Sequence, residues 1–113
     1  MEYKHKTLAA GRWAEMSFVE QMANIGAEVS RALHWKRKNN KKYCDDALAR
    51  ALELLYLTIE NATGFPRLKE LCRLREALLD YFYGDNAFKS SDVLWEKYFN
   101  HFNYAARKER FRR

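Results

Sequence analysis

Apolar residues recur at three- and four-residue spacing over four stretches of this 113-residue chain, the pattern of amphipathic helices. Phe18, Met22, Ile25, Val29, Leu33 and Lys36 share one face, with Gly26 beside them, and Ser17-Phe-Val-Glu20 has the form of a capping box. A first helix is therefore predicted over 18–38. Asn39 and Asn40 interrupt the pattern, since Asn tolerates left-handed backbone and serves as an N-cap. Cys44, Leu48, Ala51, Leu52, Leu55 and Ile59 then mark a second helix over 41–61, with Asp45 and Asp46 in its first turn. Pro66 suits the first turn of a third helix over 66–83, whose face is Leu68, Leu71, Leu78, Leu79 and Phe82. Gly84 is expected as its left-handed terminator. Ser90, Ser91 and Asp92 open a fourth helix over 92–109, burying Leu94, Trp95, Tyr98, Phe102, Ala105 and Ala106.

Four such helices joined by short loops predict an all-α fold, an antiparallel up-down-up-down four-helix bundle. Residues 1–113 form one domain, with 1–16 an irregular N-terminal arm anchored by Trp13 and 107–113 a basic C-terminal tail. That topology places loops 34–42 and 84–91 at one end, and loop 61–66 with both termini at the other. Near the end of the second helix Leu54, Leu55, Tyr56, Leu57 and Ile59 make it apolar nearly all round, and Leu57 lies almost opposite Leu48. A partner subunit covering Leu54 and Leu57 is the expected cause. The small flank of the first helix, Ala23, Ala27 and Ser30, reads either as a solvated surface or as a second contact of a homo-oligomer. Arg75 falls within the apolar face of the third helix, where it needs Glu28 as partner or an exit to water. Cys44 and Cys72 both fall on apolar faces and are expected to be structural thiols, too far apart for a disulfide.

Composition narrows the function. No apolar run approaches the roughly 18 residues of a membrane span. The N-terminus lacks the apolar segment of a secretion signal, so a cytoplasmic location is expected. Glu-x-x-His, HExxH, GxSxG and Gly-rich phosphate loops are missing. The Arg-x4–6-His signature of small helical ribonucleases does not occur either. His5, His34 and His101 fall at different heights of the bundle and cannot share a metal. No enzymatic activity, metal or cofactor is therefore expected.

Charge is where the chain departs from the ordinary. The net charge of +6 is concentrated in two short segments. Residues 34–42 carry five bases and no acid, and residues 107–113 carry five bases and one acid. Trp35, Lys36, Arg37, Lys38, Lys41 and Lys42 form the first candidate site, with Tyr43, Tyr81, Tyr83 and Phe88 brought near by the topology. Arg107, Lys108, Arg110, Arg112 and Arg113 form the second, where compensation of the helix dipole and solubility is the weightier reading. Cations release counterions from phosphates and aromatic faces stack on unpaired bases, so RNA or DNA is the expected ligand. A solvated basic loop and an acidic protein partner are the competing readings. Lys41 and Lys42 weigh against the first of these, because a helix N-terminus disfavours cations.

Asn24-Ile-Gly-Ala-Glu28, followed by Tyr43 and by Ala47-Leu-Ala-Arg-Ala-Leu-Glu-Leu-Leu55, resembles a pattern of small basic bacterial four-helix bundles. These are the ribosomal-RNA intervening-sequence proteins and the accessory variability determinants of diversity-generating retroelements. The resemblance covers residues 21–56, and the spacing from Asn24 to Tyr43 is longer than in that group. It implies a ring-shaped homo-oligomer that binds RNA or DNA and partners a reverse transcriptase, with no catalytic residues.

Overall fold

The side-chain oxygen of Ser17 accepts the Glu20 N–H at 3.1 Å and so satisfies one of the orphan donors that open a helix. In the computed structural model, which describes residues 11–111, this cap starts α2 (Phe18–Arg37) after a single short turn, α1 (Trp13–Glu15). Asn39 adopts left-handed backbone (φ 58°), and the Asn40 side chain accepts the Tyr43 N–H at 3.0 Å to start α3 (Lys41–Glu60). Gly64, at φ 88°, turns the chain into α4 (Phe65–Tyr83), which carries Pro66 in its first turn. Ser91 accepts the Leu94 N–H at 3.2 Å at the start of α5 (Asp92–Phe111). The basic segment 107–111 is therefore the last turn and more of a helix. No strand occurs among the described residues.

The loop between α4 and α5 is built differently from expectation. Gly84 lies at φ −105°, so it is not a left-handed terminator; the positive values fall on Asn86 and Lys89. Asp80 organises the turn, its carboxylate accepting the Ala87 and Phe88 N–H groups and its carbonyl the Gly84 N–H. Glycine is needed at 84 for room: a Cβ there would meet the Asp80 carbonyl oxygen at 3.0 Å.

The helices pack compactly around α2, which runs along both α3 and α5, while α3 also meets α4 and α1. Met22, Ile25, Val29 and Leu33 of α2 join Ala51, Leu54, Leu55 and Leu57 of α3, Leu71, Leu74 and Leu78 of α4, and Trp95 and Phe99 of α5 in one core. At one end Arg37 reaches Asp92 and Glu96, and the Tyr83 hydroxyl donates to Asp45 at 3.0 Å. At the other, the Ser17 hydroxyl donates to Glu109 at 2.7 Å, Phe18 meets Phe102 edge-on, and the Arg67 guanidinium lies 3.9 Å from the Phe18 ring centre. Trp13 is buried there and donates to Thr58 at 3.1 Å.

Several expectations are corrected. Leu54 and Leu57 are each only 4% exposed, because α1 and α4 cover the far side of α3 within this chain; no partner subunit is needed to bury them. Cys44 is buried as expected, but Cys72 is exposed. The core face of α4 is Leu71, Leu74 and Leu78, leaving Leu68 exposed; that of α5 is Trp95, Phe99 and Ala106, leaving Leu94 exposed. The rest of each predicted face holds in the main, with Leu71, Leu78 and Phe82 of α4 and Trp95, Tyr98, Phe102 and Ala106 of α5 buried or packed against the core. Leu74 and Phe99 join it because each helix carries more apolar positions than one face can hold. Arg75 is exposed, and Glu28 instead accepts from Arg31 and, at 2.6 Å, from Arg50.

Candidate nucleic-acid interface

The basic loop sits where helix ends from the whole chain converge, and that decides its electrostatics. Lys36 lies 3.5 Å from Asp92 and 5.1 Å above the Tyr81 ring. Arg37 bridges Asp92 at 3.3 Å and Glu96 at 3.2 Å. Lys41 pairs with Asp45 at 3.1 Å, one turn on, and lies 5.7 Å over Tyr83. Trp35 is half-buried and edge-packed by His34 and Tyr43, so its faces are not an open stacking platform. Lys38 and Lys42 are exposed and form no ion pair among the described residues.

This end of the molecule is consequently balanced rather than basic. The converging segments 34–46 and 80–96 hold six bases and six acids. Burial pushes Asp92 upward, but the Tyr81 hydroxyl and the charges of Lys36 and Arg37 outweigh it and hold its carboxyl below the usual range. Hydrogen bonds from Lys41 and then Tyr83 hold Asp45 low as well. Tyr81 and Tyr83 are each pushed up to about 12, first by burial and then by donating to these carboxylates.

In the other candidate the described bases form no ion pair among the described residues. Arg107, Lys108 and Arg110 are exposed, and the one acid among them, Glu109, is engaged by Ser17. Lys108 lies 5.1 Å over Tyr104; Tyr104 and Phe111 are 58% and 88% exposed. Arg112 and Arg113 lie outside the described residues. Asn100, Asn103, Arg107 and Arg110 recur at helical spacing as a polar stripe that faces the seam between α5 and α2. Adjoining depressions along that seam are lined by Ala23, Asn24, Ala27, Ser30, Ala106 and this stripe, with Glu20 beside Arg110 in one and Arg31 and Glu96 in another. The small flank of the first predicted helix and the basic tail, two separate candidates in the sequence, thus lie side by side. The two asparagines had escaped notice; their spacing to Arg107 and Arg110 was the available signal.

Among the described residues no His, Cys, Asp or Glu cluster could hold a metal ion, and no helix is long and apolar enough to cross a membrane. His34 and His101 are exposed and apart. Comparisons with protein-family models, curated proteins and solved structures find no match to this chain.

Proposed function

We propose that the chain is a non-enzymatic nucleic-acid-binding protein, built as an antiparallel up-down-up-down four-helix bundle, that grips its ligand through the C-terminal half of α5. The observation that carries this is the exposure of Arg107, Lys108 and Arg110, with no ion pair among the described residues, beside the exposed rings of Tyr104 and Phe111. Cations interleaved with aromatics give a phosphate-binding and base-stacking surface suited to single strands. Lys38 and Lys42, at the opposite end, are a secondary contact; Lys36, Arg37, Lys41 and Trp35 are spent within the fold. A homo-oligomer acting in the cytoplasm beside a reverse transcriptase is the biological setting, on the strength of the family resemblance at residues 21–56.

Fluorescence anisotropy with labelled single-stranded RNA and DNA tests this. Affinity should fall steeply with salt, and replacing Arg107, Lys108 and Arg110 together by Glu should flatten the salt dependence and weaken binding far more than replacing Lys38 and Lys42. Equal binding by the triple variant, with its helical circular dichroism intact, would refute the assignment to α5. The second reading, a protein-interaction module with no nucleic-acid role, is favoured by the balanced end with its exposed Tyr43, Tyr83 and Phe88. Absence of any salt-sensitive binding to either nucleic acid would select it.

A further inference from the structure

The outer face of α4 carries an apolar stripe that is left exposed among the described residues. Phe65 is 73% exposed and Leu68 37%, Cys72 is exposed, and Leu79 is partly exposed and outside both core clusters. Positions 65, 68, 72 and 79 follow three-, four- and seven-residue spacing, the seam of a helix pair. The same helix buries Leu71, Leu74 and Leu78 on another side, so α4 is apolar on two sides and covered on one.

We propose that this stripe is the contact between two copies of the chain, packed as an antiparallel α4 pair about a twofold axis at Cys72. The charges beside the stripe complement those of a second copy. At 100° per residue Lys69 and Glu76 lie on one flank, Leu68 and Arg75 on the other. In an antiparallel pair centred on Cys72, Phe65 meets Leu79 of the second copy and Lys69 meets its Glu76. On the other flank Leu68 packs against the aliphatic stem of the second copy's Arg75. The twofold axis repeats each contact, as an isologous interface requires. A parallel twofold pair would instead set Glu76 beside the second copy's Arg75 and Lys69 beside its Leu68, and would align the two helix dipoles head to head, which the antiparallel pair avoids. Lys69, Arg75 and Glu76 form no ion pair among the described residues of their own chain. One helix face covers less than the roughly 1,600 Å² of a standard stable interface, so the dimer forms and dissociates with concentration.

Sedimentation velocity over a dilution series, without nucleic acid, tests the pairing separately from the function proposed above. The expected result is a monomer–dimer equilibrium abolished by Leu68→Asp. Lys69→Glu and Glu76→Lys should each weaken it several-fold, and the double exchange K69E/E76K should restore it, an outcome that loss of folding cannot mimic. A short bismaleimide should join two chains through Cys72, and not in Cys72→Ser. A monomer at every concentration would overturn the proposal, as would an assembly indifferent to the charge exchange.

Discussion

Gly26 of α2 lies directly against Phe99 of α5. A Cβ at position 26 would fall 2.7 Å from the Phe99 Cβ and 2.8 Å from its ring. The nearest atom is fixed to the α5 backbone, so no rotamer change relieves the clash, and α5 itself has to move. Gly26→Ala gains about 1 kcal/mol of helix propensity but overpacks the α2–α5 seam at a cost of roughly 1–3 kcal/mol. Urea unfolding followed by circular dichroism should therefore show a net loss for Gly26→Ala and a larger one for Gly26→Val.

Glu28 is 8% exposed and is shared by Arg31 and Arg50, the second reaching across from α3. Removing the carboxylate strands Arg50 beside the core, whereas removing Arg50 leaves Arg31 to hold Glu28. Glu28→Ala should thus cost more than Arg50→Ala. A double-mutant cycle on unfolding free energy should give a favourable Glu28–Arg50 coupling within the roughly 0.5–3 kcal/mol range of paired residues. A coupling near zero would mean that the bridge contributes nothing in solution.

Acid and alkali should unfold the same end of the molecule for opposite reasons. The carboxyl of Asp92 is held low in the fold, so its contribution is present above the usual carboxylate range and fades as pH falls below about 4. Tyr81 and Tyr83 are held near 12, so their contribution is complete below the ordinary tyrosine value and fades as pH rises from about 10 towards 12. Between those limits these three groups should contribute a constant amount. In Tyr81→Phe the alkaline decline should become shallower, measured as the midpoint of urea unfolding at successive pH values.

The two thiols should differ sharply in reactivity. Cys72 is exposed, while burial pushes the Cys44 thiol up and shields it behind Ala32, Ala47 and Leu48. A thiol-specific chromogenic reagent should titrate one group at once in native protein, and the second only on unfolding. Cys72→Ser should remove the fast phase. Prompt reaction of both would contradict the packing of α3 against α2.

Much of the local structure was legible in advance. Ser17, Asn40 and Ser91 cap the helices they were expected to cap, and Met22, Ile25, Val29 and Leu33 line the face their spacing assigned. The candidate site was less legible. Lys36 and Arg37 stand among bases in the chain and among acids in space, because Asp92 and Glu96 come from more than fifty residues away, whereas the partner of Lys41, Asp45, is only one turn on.

By itself, then, the sequence determined where helices begin, where they stop and that each has an apolar side, since caps, turns and periodicity act over a few residues. The tertiary structure alone decided which apolar side is covered. Leu57 is buried within the core, while Phe65 and Leu68 on the neighbouring helix stay exposed among the described residues. It also decided that Lys36 and Arg37 of the first basic segment are paired with acids of α5, while Arg107, Lys108 and Arg110 of the second form no ion pair among the described residues. Burial and neutralisation depend on partners distant in the chain, and periodicity within a helix carries no information about them.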